Sequence, residues 1–170
     1  MKKFTAMLIA ALMLVTLFAC GGDATDDNPP AGNVKTEKGF CFVSGETEIY
    51  PNDEAAAVIE ALGEPKSYFE DPACAFDGVD KVYTYGGFQL RTYTIGETDY
   101  VFRVDIIDDT VATPEGLEIG ADPAKITELY GEVENDGVLY KYTKGDSTFS
   151  VVVKDGAVAS ISYVAVLPEA

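Results

Sequence analysis

The segment that decides the fold runs from Tyr83 to Ile106 and reads YTYGGFQLRTYTIGETDYVFRVDI. It contains three runs rich in aromatic and β-branched residues, which is the composition that strands favour. Gly86-Gly87 separates the first two runs, and Gly96-Glu97-Thr98-Asp99 separates the second run from the third, as hairpin turns do. The segment therefore predicts three strands in an antiparallel meander.

The last of these runs has the period of two that is typical of a half-buried strand. Arg103 and Asp105 are predicted to share one face of this strand. The opposite face is predicted to carry its aromatic and aliphatic side chains, Tyr100, Phe102, Val104 and Ile106.

A second meander is predicted from Tyr140 to Tyr163, which reads YKYTKGDSTFSVVVKDGAVASISY. Its opening Tyr140-Lys141-Tyr142 matches Tyr83-Thr84-Tyr85 at the start of the first meander. Asp155-Gly156 is a strong hairpin signal between its last two runs. The chain therefore contains the same unit twice.

A short amphipathic helix is predicted before each meander. The first runs from Glu54 to Leu62, with Asn52 or Asp53 as its N-cap, and ends at Gly63. The second runs from Ala124 to Tyr130, with Asp122 as its cap, and ends at Gly131. An additional strand over residues 40–43 opens the domain.

These elements predict an α+β fold in which two tandem helix-plus-antiparallel-meander units form a curved sheet with the helices packed on one face. The first unit is expected over residues 35–114 and the second over residues 115–170. Together they are expected to form one globular domain over residues 35–170, which suits a chain with 47% apolar residues.

Residues 1–19 have the pattern of a bacterial lipoprotein signal peptide. Lys2 and Lys3 precede an apolar run that ends at Phe18 and is too short to span a membrane comfortably. Ala19-Cys20 resembles a lipobox, which implies cleavage before Cys20 and attachment of lipid to this cysteine. The alternative is an ordinary cleaved signal in which Cys20 has no role.

Residues 20–34 are predicted to be a flexible tether because they offer almost no large apolar side chain to bury. The protein is therefore expected at the extracytoplasmic face of the cell membrane, where the lipid on Cys20 anchors it.

The chain is strongly acidic, with a formal net charge of −17. This charge excludes nucleic acid as a partner because Lys and Arg contacts to phosphate supply most of such affinity. The acidity keeps the domain soluble or attracts a basic partner.

Histidine is absent, so Ser-His-Asp and Cys-His catalysis lack their general base, and zinc sites lack their commonest ligand. Glu132–Gly137 begins like a calcium loop, but Thr143 stands where the loop would need its bidentate Glu. The sequence therefore predicts no enzyme activity, no metal and no cofactor.

Cys41 and Cys74 remain once Cys20 is lipidated. Outside the membrane, such a pair is expected to form a disulfide. Two buried free thiols are the alternative.

A cluster of tyrosines and arginines is the candidate partner-binding surface, because both residue types are enriched in binding hot spots. The alternative is that the tyrosine rings pair across the sheet with no further role. The candidate residues are Tyr83, Tyr85, Arg91, Tyr93 and Arg103.

The two units resemble a module shared by BamE/SmpA-type outer-membrane assembly lipoproteins and by β-lactamase-inhibitory-protein-like repeats. The resemblance is carried by Asn52–Pro65 with Tyr83–Ile107, and by Ile119–Glu132 with Tyr140–Tyr163. Residues 73–85 also resemble an uncharacterised lipoprotein family of anaerobic Gram-positive bacteria. The resemblance implies a concave sheet that is presented to a protein partner.

The function expected from the sequence is that of a non-catalytic module that binds a protein or a cell-envelope component. A carboxylate-based hydrolase acting on envelope glycans is the enzymatic alternative. A purely structural or sensory envelope lipoprotein is the third.

Overall fold

The structure, a computed structural model, describes residues 38–72 and 79–167 of the 170-residue chain. Strands and isolated bridges hold 49% of the described residues, and helices hold 12%. In chain order the elements are β1 Phe42–Ser44, β2 Thr47–Ile49, α1 Ala55–Leu62, β3 Ser67–Pro72, β4 Val79–Thr84, β5 Phe88–Ile95, β6 Thr98–Ile106, α2 Ala124–Tyr130, β7 Leu139–Lys144, β8 Ser147–Lys154 and β9 Ala157–Ala165.

Seven of these strands form one antiparallel sheet in the order β3-β4-β5-β6-β9-β8-β7. The strands of the two predicted meanders are present as β4-β5-β6 and β7-β8-β9. The meanders join at their last strands, β6 and β9, so the two predicted units share one continuous sheet. The remaining strands, β1 and β2, form a separate hairpin.

The predicted α+β class is wrong, because the protein is mostly β. Helices α1 and α2 contain only 8 and 7 residues, which is too little to form a helical layer over a seven-stranded sheet. One face of the sheet is instead covered jointly by the β1–β2 hairpin, the two short helices and Leu117 from the connection between β6 and α2. We call this face the covered face.

Two strands, β2 and β3, were not expected from the sequence. Ser67–Pro72 carries Glu70, Asp71 and Pro72, residues that strands disfavour, yet it pairs with β4 at the edge of the sheet. An edge position tolerates these residues because one side of the strand needs no ladder hydrogen bonds. The expected opening strand over residues 40–43 lies instead at Phe42–Ser44, paired with Thr47–Ile49.

The core lies between the covered face and the elements packed on it. Aromatic contacts connect the layers: Phe42 of β1 lies 4.9 Å from Phe88 of β5, and Tyr130 of α2 lies 4.3 Å from Phe149 of β8, between ring centroids. The largest side chains that are fully buried are Tyr163, Phe42, Phe149, Ile49, Leu90, Leu117, Ile126 and Ile161.

The two meanders follow the same register. Tyr83 pairs with Leu90 and Leu90 with Val104 in the first, as Tyr140 pairs with Val151 and Val151 with Ile161 in the second. At the junction, Val104 faces Tyr163 and Ile106 faces Ile161, so each pair is the counterpart of the other. The pairing therefore relates the two halves by approximate two-fold symmetry.

A bulge in β6 changes which of its side chains share a face. Arg91 pairs with Arg103 but Thr92 pairs with Val101, so Phe102 is an extra residue. The extra residue reverses the alternation, and Val101 is buried with Val104 and Ile106. Tyr100 and Phe102, predicted on the same face as Val104 and Ile106, instead lie beside Tyr93 on the other face. Val152 and Val153 bracket the equivalent bulge in the second meander.

The helix ends agree with the sequence except at one cap. Gly63 and Gly131 end the helices with φ of +74° and +83°, values that favour glycine. Asp122 Oδ1 accepts a hydrogen bond from the Ala124 amide at 2.8 Å, as expected of a cap. The residue before α1 is Glu54, and neither Asn52 nor Asp53 caps that helix.

Several predictions fall on residues that the structure does not describe. The signal peptide, Cys20, the tether and Cys74 lie outside 38–72 and 79–167, so they stay predictions. Among the described residues, neither helix has the length and apolar character needed to cross a membrane.

Candidate functional site

The second face of the sheet, which we call the open face, has neither described helix and no part of the β1–β2 hairpin packed on it. Its centre is a row of small or polar side chains that the register aligns across all seven strands. From one edge to the other the row is Ser67, Thr84, Gln89, Asp105, Ser162, Ser150 and Lys141.

An ion-pair cluster stands on the open face beside this row. Arg91 and Arg103 are directly opposite each other on β5 and β6, and Asp105 follows two residues after Arg103 on the same face. Asp105 Oδ1 accepts a hydrogen bond from Arg103 Nε at 2.5 Å, and Asp105 Oδ2 lies 3.3 Å from Arg91 Nε. We call these three residues the arginine cluster.

Ser162 completes the cluster from β9. Its hydroxyl donates a hydrogen bond to Asp105 Oδ1 at 2.7 Å and accepts one from Arg103 Nη2 at 2.9 Å. The serine is 3% exposed, so its small side chain holds the Arg103 guanidinium and the carboxylate together from below. The cluster therefore has a defined geometry rather than two freely moving arginines.

A shallow depression with a volume of about 440 Å³ opens beside the arginine cluster. Ser160 and the cluster form its polar wall, and Phe102 and Ile107 form its apolar wall. Ile107 is 44% exposed, so its aliphatic side chain is accessible at the depression. The depression combines a charged group with an apolar surface, as binding sites on proteins do.

The structure does not bring the five candidate partner-binding residues onto one surface. Arg91 and Arg103 lie together on the open face, whereas Tyr83 and Tyr85 lie on the covered face. The Tyr83 ring packs 4.9 Å from Tyr68, and the Tyr85 ring stacks 5.1 Å from Phe88. These tyrosines pair across the sheet.

The covered position of these tyrosines also affects their ionisation. Burial raises the pKa of Tyr83, partly offset by the charge of Lys81, and burial likewise raises the pKa of Tyr85. The Tyr85 hydroxyl is buried with no hydrogen-bond partner among the described residues. The Tyr85 ring therefore does not offer a partner the exposed polar handle expected of a hot-spot tyrosine.

Tyr93 lies on the open-face side of the sheet but is only 7% exposed. Its hydroxyl donates a hydrogen bond to Asn52 Oδ1 at 2.9 Å, and its ring lies 5.8 Å from Tyr100 and 6.1 Å from Phe102. Burial raises the pKa of this hydroxyl. Tyr93 therefore supports the ring of Phe102 at the rim of the depression more than it contacts solvent.

Cys41 is half-buried, and no disulfide bond links it to another of the residues that the structure describes. Burial raises the pKa of the Cys41 thiol, and the nearby carboxylates of Glu48 and Glu115 act in the same direction. The raised pKa keeps the thiol protonated near neutral pH. Because Cys74 lies outside the described residues, the Cys41–Cys74 pairing stays a prediction.

Two members of the site were not among the residues singled out for it. Asp105 gave a signal, because its alternation with Arg103 places both on one face of a strand. Ser162 gave none, since only the pairing of β6 with β9 brings it to Asp105. Among residues 38–72 and 79–167, no three carboxylates or cysteines come together in a way that could hold a metal ion.

Comparisons of this chain with protein-family models, with curated proteins and with solved structures find no match. The resemblance to assembly and inhibitory lipoproteins therefore rests on the sequence motifs alone and stays a prediction.

Proposed function

We propose that this protein is a membrane-anchored extracytoplasmic lipoprotein that binds another protein through the open face of its sheet and performs no catalysis. The carrying observation is that both arginines of the chain, Arg91 and Arg103, stand side by side on that face. Arginine is the cationic residue most enriched in binding hot spots. The lipid on Cys20 and the tether would hold the open face within reach of other envelope proteins.

The apolar surface around the cluster supports a protein partner. Ile107 beside the depression and Phe69 on β3 are 44% and 62% exposed. Phe69 pairs with Val82, and Val82 pairs with Arg91, so Phe69 lies on the same face as the cluster. Exposed apolar side chains around a charged centre are characteristic of protein interfaces.

The hydrolase alternative gains no support from the depression. Among the described residues that line it, Asp105 is the only one with a carboxylate, and both arginines pair with it. Glycoside hydrolysis by two acids needs a second carboxyl group across the site.

The anchoring is tested by labelling. The full-length chain is produced in a bacterium with lipoprotein-processing enzymes that is fed radiolabelled palmitate, beside a Cys20→Ser variant. Label on the parent chain but not on the variant is the expected result. An unlabelled parent that is nevertheless cleaved would show that residues 1–19 are an ordinary signal.

Binding through the open face is tested by site-specific photo-crosslinking in cells of the producing organism. A photoreactive residue replaces Ser150 in the central row of the open face, or Glu128 on the exposed side of α2 as the control. One protein is expected to crosslink at position 150 and not at 128. The purified partner must then bind the parent chain and fail to bind Ser150→Trp, with Glu128→Trp as the matched control. Equal binding by both variants would place the interface elsewhere.

A further inference from the structure

The sheet does not need the charges of the arginine cluster. The two-fold relation between the meanders makes Val152 the counterpart of Arg91, Ser160 of Arg103 and Ser162 of Asp105. These neutral residues maintain the same strand pairing around the same bulge. Two like charges directly opposite each other are unfavourable in a sheet. A second role must therefore account for the charges in the first meander.

The cluster has unused binding capacity. Two guanidinium groups face one carboxylate, which leaves one positive charge in excess within a chain of net charge −17. Both Nη atoms of Arg91 and Nη1 of Arg103 have no acceptor among the described residues. The two side chains are 45% and 40% exposed, so the cluster is accessible to solvent.

We infer that the arginine cluster is a carboxylate-binding site, which receives an Asp or Glu side chain of the protein partner while an adjoining apolar side chain of that partner enters the depression. This inference rests on the proposed function. The two free Nη atoms of Arg91 belong to one planar guanidinium and supply the fork that a carboxylate accepts in a bidentate manner, and Nη1 of Arg103 is a further free donor. Phe102 and Ile107 supply the apolar wall.

Charge favours an isolated carboxylate over a phosphate-rich polymer. The cluster offers only one excess positive charge, and Asp105 stands within it. A polymer with a phosphate in every repeat would meet the negative charge of the rest of the domain. One carboxylate in a partner surface that is otherwise neutral or basic meets the local positive charge without that repulsion.

The test is a titration of the purified full-length protein in detergent micelles, observed through the Nε–Hε signals of its two arginines. The probes are the peptide acetyl-Gly-Leu-Glu-Gly-amide, the same peptide with Gln in place of Glu, and inorganic phosphate. Both arginine signals are expected to shift saturably with the Glu peptide. The Gln peptide is expected to bind at least about tenfold more weakly because it forms no charge-assisted pair.

Matched variants control for charge and for folding. Arg91→Gln should abolish the shift of the Arg103 signal, and Arg91→Lys should retain a weaker one because it keeps the charge without the fork. Lys141→Gln should change nothing, since it removes a cation from the same face three strands away from Arg103. The dispersion of the backbone amide signals confirms that each variant is folded.

Equal binding of the Glu and Gln peptides, or no saturable shift with either, would overturn the inference. Tighter binding of phosphate than of the Glu peptide would replace it with a site for phosphate-bearing ligands. A partner that crosslinks at position 150 and ignores Arg91→Gln would leave the proposed function standing and refute the carboxylate site. Saturable binding of the Glu peptide without any crosslinked protein would leave the carboxylate site standing and refute the proposed function.

Discussion

The two meanders of the sheet have the same pairing and different surfaces. On the covered face two pairs of counterparts are the same residue type: Phe88 corresponds to Phe149, and Tyr83 corresponds to Tyr140. On the open face they differ at every position around the depression. The first meander has Arg91, Phe102, Arg103 and Asp105, and the second has Val152, Ala159, Ser160 and Ser162.

The difference separates what the fold requires from what it permits. A close-packed core requires apolar or aromatic side chains, so buried counterparts of the covered face, such as Leu90 and Val151 or Ile106 and Tyr163, share that character even where their sizes differ. The arginine positions of the open face are 45% and 40% exposed, so packing limits them much less. The large and charged residues of the first meander are therefore the ones to examine for function, and the small residues of the second leave them accessible.

The largest expected effect comes from breaking the covered face in each half. Phe88→Ala and Phe149→Ala should each lower the free energy of unfolding by about 3–5 kcal/mol, because each removes a buried ring and leaves a cavity. Phe149→Ala should lower the free energy of unfolding more than Phe88→Ala does, since the Phe149 ring contacts Tyr130, Tyr163 and Phe40. Urea unfolding measures both, with Ser150→Ala as an open-face control expected within about 0.5 kcal/mol of the parent. A cost below about 1 kcal/mol for either ring would contradict the equivalence of the two cores.

The next largest expected effect comes from replacing two turn glycines with alanine. Gly87 and Gly156 both have positive φ, of +84° and +80°. A Cβ on Gly87 would lie 2.6 Å from Thr110 Oγ1 and 2.8 Å from Val111 Cγ1, whereas a Cβ on Gly156 would meet nothing within 4 Å. Gly156→Ala should therefore cost about 1–2 kcal/mol from backbone strain alone. Gly87→Ala should cost about 2–4 kcal/mol because overpacking is added.

Thermal or urea unfolding of these two variants distinguishes strain from crowding. Equal losses of unfolding free energy in Gly87→Ala and Gly156→Ala would show that the segment after β6 moves away from position 87 without a measurable cost.

A smaller effect should follow from removing the shared carboxylate of the arginine cluster. Asp105→Asn should lower the free energy of unfolding by about 1–2 kcal/mol, because charge-assisted hydrogen bonds are lost and two arginines then face each other. Added salt should restore part of this loss by screening the repulsion. Ser160→Ala, at the neutral counterpart of Arg103, serves as the control and should stay within about 0.5 kcal/mol of the parent. A loss that salt does not change would show that the arginines do not repel each other.

The smallest expected effect is a pH dependence of stability that arises from one ion pair in the first meander. Lys81 Nζ lies 2.6 Å from Asp99 Oδ2, and these side chains are 27% and 25% exposed. Burial acts to raise the pKa of Asp99, but hydrogen bonds from Lys81 and Thr94 outweigh it and lower that pKa below its usual 3.8. The pair's contribution is therefore complete above about pH 4 and is lost as the pH falls through the lowered pKa.

Asp99→Asn measures this contribution. It should cost about 0.5–1 kcal/mol at pH 7, since the pair is partly exposed. The difference in unfolding free energy between parent and variant should shrink as the pH falls below 4. The hydrogen bond to Asp99 also raises the pKa of the Lys81 ammonium above its usual 10.5. The pair's contribution to stability is therefore lost again at alkaline pH, as the pH rises through this raised pKa. A difference that stays constant from pH 3 to pH 7 would mean that the pair is not formed in solution.

The strands of both meanders could be predicted because glycine turns and alternating side chains are local signals. The helix-ending glycines, Gly63 and Gly131, were predicted for the same reason. The fold class was wrong because the two helices are too short to cover a seven-stranded sheet alone, and no local pattern showed what else covers it. The β1–β2 hairpin, which packs Phe42 against the sheet, supplies part of the layer that was assigned to helices.

The site depended on information that no local pattern carries. The sequence by itself determined that Arg103 and Asp105 share a face, because a strand has a period of two, and that the domain is acidic and without histidine. Only the tertiary structure decided that Arg91 stands opposite Arg103, that Ser162 reaches Asp105, and that Tyr83 and Tyr85 turn to the covered side. The physical reason is register: pairing across the sheet is set by the whole set of buried side chains, and one bulged residue reverses the face of every residue beyond it.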